Sequence, residues 1–113
     1  MRSLEIRIKR TVHREYQQFR KSILKRRKDE IYESCGKIYF YACIEEYFRY
    51  NKSIPKRFFR DMVRFQLSIA RLWKVYLKNE EASVVTWKGI EELITLSCYE
   101  KGEGYDQCQT RAC

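Results

Sequence analysis

The chain has 113 residues, 35% of them charged, and a formal net charge of +9 at pH 7. That length suits one domain, able to bury roughly two thirds of the surface its unfolded form exposes, so a core needs no covalent staple. No apolar run approaches the ~20 residues of a membrane span, and the basic N-terminus lacks the apolar stretch of a signal peptide, so neither membrane nor secretion is expected.

The first segment, Ser3–Lys28, carries apolar residues at helical spacing: Ile8, Val12, Tyr16, Phe19 and Ile23. Arg7, Arg10, Arg14, Gln17, Lys21, Lys25 and Lys28 repeat at the same spacing on another face. The segment therefore reads as a helix with one greasy and one cationic stripe. Its basic start is discounted as a transit peptide, because Glu5 and Glu15 interrupt the charge and the apolar stripe reads as core.

The second segment, Asp29–Tyr50, has Asp29 as a candidate N-cap and Glu30 and Glu33 near the positive end of the helix dipole. Ile31, Tyr32, Ile38, Tyr39, Phe40, Tyr41, Ile44, Tyr47 and Phe48 cover most of its circumference, which predicts the central helix of a bundle. Gly36, inside it, predicts a close approach of another helix. Cys35 and Cys43 read as small buried hydrophobes.

Residues 51–54 make a short connection, and Pro55 suits the first turn of a third helix, Pro55–Asn79. Phe58, Met62, Phe65, Ile69, Leu72 and Tyr76 form its core stripe; Arg57, Arg60, Arg64, Arg71, Lys74 and Lys78 form a second cationic stripe, broken by Leu67. After a turn at 80–83, a last helix is expected from Thr86, its cap, to Lys101, with Trp87, Ile90, Leu93, Ile94 and Leu96 inward and Gly102 closing it. The expectation is an all-α single-domain bundle of about four helices over residues 1–101, with a polar tail at 102–113.

Catalysis finds little support. There is one His, and no phosphate-binding loop or metalloprotease motif. The pairs Glu45–Glu46 and Glu91–Glu92 point about 100° apart on a helix, so salt bridging to Lys or Arg is the better reading. His13, Cys98, Cys108 and Cys113 lack the paired spacing of a zinc knuckle, so no metal and no cofactor are expected. The five cysteines are an odd number and suit free thiols in a reducing cytoplasm, with Cys108 and Cys113 exposed.

The charge distribution is the strongest signal. Residues 1–28 hold eleven Lys and Arg against two Glu, residues 29–78 hold ten against six, and residues 79–113 hold three against seven acids. A solubility face normally mixes both signs. Two cationic stripes, each ~25–30 Å long at 1.5 Å per residue, match phosphates spaced along a groove, and nearby Tyr and Phe can stack on unpaired bases. The candidate binding residues are Arg7, Arg10, Arg14, Lys21, Lys25, Arg57, Arg60, Arg64, Arg71 and Lys74. The expected partner is nucleic acid or a nucleoprotein, RNA or DNA. Two alternatives stand beside it: an acidic protein surface, and a helix-turn-helix regulator with its turn at 51–54 and Lys56, Arg57, Arg60 and Arg64 toward DNA.

The runs Glu15-Tyr16-Gln17-Gln18-Phe19-Arg20, Asp29-Glu30-Ile31-Tyr32-Glu33, Lys37-Ile38-Tyr39-Phe40-Tyr41 and Ile44-Glu45-Glu46-Tyr47 resemble small uncharacterised helical proteins of gut Firmicutes and their mobile elements. The resemblance covers Glu15 to Phe48, and departs from the pattern at Arg27-Lys28, where such sequences tend to place a small capping residue. It brings no activity with it. It implies a phage or mobile-element setting, in which small charged proteins inhibit host defence nucleases as anti-CRISPR proteins do.

Overall fold

The computed structural model describes the backbone of residues 2–112 and the side chains of residues 3–100. All described elements are α-helices: α1 Arg2–Leu24, α2 Lys28–Glu33, α3 Cys35–Tyr50, α4 Lys56–Arg64, α5 Ile69–Lys78 and α6 Trp87–Ala112. The all-α class stands. The count is six rather than four, because the second and third expected helices are each divided.

The third expected helix is divided by a built-in stop. Gln66 takes a left-handed conformation, φ 51°. The Leu67 N–H donates to Met62 O at 2.9 Å and the Gln66 N–H to Val63 O at 3.2 Å. These are the two bonds of a Schellman motif, and buried Leu67 supplies the apolar residue that such a motif places beyond it. Ser68 then starts the next helix, its hydroxyl accepting from the Arg71 N–H at 3.1 Å. The stop leaves Phe65 half-buried at the end of α4, while Ile69 and Leu72 are fully buried on α5.

A carboxylate from far along the chain completes the start of α5. Glu15 Oε1 accepts from the Ile69 N–H at 2.8 Å, and Oε2 from the Ala70 N–H at 2.9 Å. The first amides of a helix have no partner within it, and the helix dipole favours negative charge there. One glutamate thus satisfies two orphan donors and pins α1 to α5.

The second segment is divided at Ser34, between α2 and α3. Arg27, not Asp29, stands at the N-cap of α2 and pairs with Glu30 at 3.2 Å. Gly36 faces open space, so the expected close helix approach there does not occur. Cys35 is exposed rather than buried, because it lies on the outer side of α3, away from Phe40 and Ile44. The glycine that does serve packing is Gly89 in the first turn of α6: a Cβ there would run into the Ser83 carbonyl.

The core gathers Ile8 and Val12 of α1, Phe40, Tyr41, Ile44, Tyr47 and Phe48 of α3, Phe58, Phe59 and Met62 of α4, Ile69, Leu72 and Val75 of α5, and Ile90, Leu93 and Ile94 of α6. α1 packs on α3, α4 and α5; α6 packs on α3, α4 and α5 from the other side. Thr86 caps α6 through the Gly89 N–H at 3.1 Å, as its position suggests. Trp87, expected inward, is 46% exposed, since it sits at the very start of the helix and only its edge reaches Tyr47. Gly102 does not end α6, whose backbone stays helical to Ala112, so the segment expected as a tail continues the helix. The side chains of Cys108 and Cys113 lie outside the described residues. Among the described residues, no helix is long and apolar enough to cross a membrane.

The stop, the tertiary cap and the thiols can each be checked. Gln66→Gly removes the Cβ penalty of the left-handed conformation and should raise stability by about 1 kcal/mol in urea denaturation; a decrease would contradict the Schellman assignment. Glu15→Gln should cost about 1–2 kcal/mol and speed amide exchange at Ile69 and Ala70, and unchanged exchange there would contradict the tertiary cap. Burial pushes the Cys98 thiol up to about 11, with the Asp61 charge adding, and pushes Cys43 up as well. A thiol reagent at neutral pH should therefore modify Cys35 before Cys43 or Cys98, as read by peptide mapping.

Candidate nucleic-acid interface

Along α1 the two stripes separate cleanly. Ile8, Val12 and Ile23 are buried, Arg7, Arg10, Arg14 and Lys21 are exposed on the outward side, and Lys25 is exposed in the turn that follows. The described ion pairs of side chains involve His13, Arg27, Arg49 and Lys78, and none of the five outward cations. Glu15, the acid nearest the middle of that stripe, is turned aside to α5. The outward row is left without a compensating carboxylate among the described residues.

The second cationic stripe does not survive as one row. Arg57, Arg60 and Arg64 are exposed on α4, whereas Arg71 and Lys74 lie on α5, beyond the reversal at Gln66. Arg60 and Arg64 belong to the helix that packs beside α1. Arg57 instead borders a hollow between α4 and α6 that also holds Lys88, Glu91 and Glu92, where both signs mix. Arg71 is half-buried, and its Nε has no hydrogen-bond partner. A continuous 25–30 Å row on a third helix is thus replaced by a short cationic row on α4 and separate cations on α5.

α1 and α3 run antiparallel. Phe19 stacks on Tyr41 with ring centroids 3.9 Å apart, and His13 Nδ1 lies 3.1 Å from Glu45 Oε1 further along. Around that pair, an open groove of about 650 Å³ lies between the two helices. Ile6 is its exposed apolar residue, with the buried Val12 and Phe48 beneath; Lys9, Arg10, Arg14 and Arg49 supply cations, and Glu45 supplies a carboxylate. A second hollow of about 180 Å³ shares Gln17, Glu45 and Arg49 with it, and is bordered by Tyr16, Arg20 and Tyr50.

Glu45 is the keystone of this region. Its side chain is only 7% exposed, and Oε1 lies within reach of both His13 and the Arg49 Nε, the latter at 3.2 Å. A buried carboxylate is tolerated only when so partnered. The guanidinium of Arg49 also lies 5.9 Å from the ring centre of Tyr50, which is 60% exposed. The pairing holds Arg49 at the mouth of both hollows.

Of the cations expected from sequence, the groove brings together Arg10 and Arg14. Lys9, His13, Glu45 and Arg49 join them, and Tyr50 borders the adjoining hollow, from positions that the sequence pattern leaves unmarked or assigns elsewhere. The signal for Arg49 lies in its spacing, four residues after Glu45 on a helix. His13, weighed as a metal ligand, is engaged by Glu45. Elsewhere, the Tyr47 hydroxyl donates to Glu91 Oε2 at 2.7 Å, and burial together with that bond pushes its pKa up. Glu91 therefore serves packing.

Compared with known proteins, the chain matches no family model, no curated protein and no solved structure.

Proposed function

We propose that the chain is a non-enzymatic binding protein whose α1 face, joined by Arg60 and Arg64 of α4, engages the phosphates of nucleic acid or of a nucleoprotein. The observation that carries this reading is the outward row Arg7, Arg10, Arg14, Lys21 and Lys25, exposed and free of the described carboxylates. Self-repulsion along such a row is a cost that a solubility face avoids by mixing signs, and a polyanion relieves it. In its sharper form, which rests on the resemblance to mobile-element proteins, the reading makes the chain an inhibitor that covers the nucleic-acid channel or guide RNA of a defence nuclease.

A second reading has one observation in its favour. The four-residue turn at 65–68, with a left-handed residue and an N-capped helix after it, has the form of a helix-turn-helix. This is a different place from the connection at 51–54. Its second helix, α5, exposes Ala70, Lys74, Leu77 and Lys78. Against it, Glu15 already occupies the Ile69 and Ala70 amides, and an acid stands where a recognition helix would approach phosphate.

The test is fluorescence anisotropy with labelled RNA and DNA across a salt series. Arg10→Glu with Arg14→Glu, and separately Arg60→Glu with Arg64→Glu, should weaken binding without lowering the unfolding midpoint. For every phosphate that a variant no longer engages, the log–log salt slope should fall by about 0.7–0.9. No binding at low salt would remove nucleic acid as direct partner and favour an acidic protein surface. Selective enrichment of one duplex sequence, relaxed by Lys74→Ala, would favour the helix-turn-helix.

A further inference from the structure

The groove between α1 and α3 differs in kind from the outward row. A row of exposed cations needs no cavity and no acid, yet here an apolar floor, a nearly buried carboxylate and a cationic rim meet in one place. Ile6 gives the floor its exposed apolar surface, over the buried Val12 and Phe48; Glu45 lies on its wall, and Arg10, Arg14 and Arg49 border it. The three features match two parts of a nucleotide, its base and its phosphate. An apolar floor accepts the faces of a base, a carboxylate accepts hydrogen bonds only from donors, and guanidinium groups pair with phosphate.

We propose that this groove is a nucleotide site that takes one unpaired base of a single strand, with the base's amino group on Glu45 and the flanking phosphates on Arg10, Arg14 and Arg49. This deepens, and rests on, the reading of the basic face as a nucleic-acid surface. Oε1 of Glu45 is held by His13 and Arg49, while Oε2 has no partner among the described residues. A carboxylate oxygen so placed receives the exocyclic amino group of cytosine or adenine. It meets carbonyl oxygens on most of the edge of uracil or thymine, and is repelled by them. Tyr50, exposed beside Arg49 at the adjoining hollow, offers a ring on which the neighbouring base can stack. A base inside a duplex cannot enter the groove, so the site selects unpaired strands.

The experiment measures anisotropy of short labelled oligocytidylate, oligoadenylate and oligouridylate and of a duplex of equal length, with the full chain. The wild type should bind the amino-bearing single strands about 10-fold more tightly than oligouridylate. Glu45→Gln should abolish that preference. Gln17→Trp, a half-buried position shared by both hollows, should fill the groove from its edge and remove the single-strand advantage while duplex binding by the outward row persists. Tyr50→Ala should weaken every single strand about 10-fold and spare the duplex. Should Glu45→Gln fail to fold, Gln17→Trp decides the matter. Equal affinity for oligouridylate and oligocytidylate, or a Gln17→Trp variant that binds single strands like the wild type, overturns the groove proposal alone. Absence of all binding at low salt overturns it together with the reading beneath it.

Discussion

The Glu15 carboxylate on the first amides of α5 is the interaction on which the arrangement turns. It joins positions 54 and 55 residues apart, and it does so with a charge placed where a helix N-terminus favours one. α5 has ten residues, a length at which an isolated helix is marginal in water. Its start is therefore held from outside, by Ser68 locally and by Glu15 across the fold. Two charge-assisted bonds from one side chain fix both the axial position of α1 along α5 and the side of α1 that turns inward.

That same bond pair shapes the electrostatics of the surface. In the sequence, Glu15 stands as one of two acids among eleven cations of residues 1–28, and reads as partial compensation. In the fold it leaves the outward side altogether. Its charge is directed at backbone amides, and the row from Arg7 to Lys25 faces solvent uncompensated. Stability and surface charge are thus coupled through one residue: the interaction that holds α5 also leaves the outward cations of α1 without a neighbouring acid.

Much of the fold is legible from periodicity. Ile8, Val12 and Ile23 on α1, and Ile90, Leu93 and Ile94 on α6, are buried as their spacing requires. The break within the third segment is not, because its left-handed residue is Gln66, where Gly or Asn is the usual mark, and because the apolar stripe from Phe58 to Leu72 keeps helical spacing straight through the stop. Ser68 is the available sign, a good N-cap inside what looks like an uninterrupted helix. Cys35 and Gly36 depart from expectation for a related reason. Aromatic residues dense enough to surround a helix do not reveal which side of its first turn faces outward. For the site, the outward cations are readable one by one, since exposure follows from helix phase. The groove is not, because it depends on how α1 packs against α3, and on His13 and Glu45 meeting across 32 residues.

The placement of Glu45 bears on how the surface can recognise a partner. A long arginine side chain on a surface gives up rotamer freedom when it binds, which weakens the association. Arg49 has already given up much of that freedom to the carboxylate four residues before it, so its guanidinium is presented at the groove before any ligand arrives. The outward cations of α1 have no such restraint and suit a diffuse, salt-sensitive attraction. A buried acid within a strongly basic face thus lowers its positive charge slightly, but it gives one part of that face a shaped and oriented set of groups. Two kinds of surface therefore meet on α1: a row of unrestrained cations, and the α1/α3 groove, where Glu45 sets a carboxylate among cations and Arg10 and Arg14 belong to both.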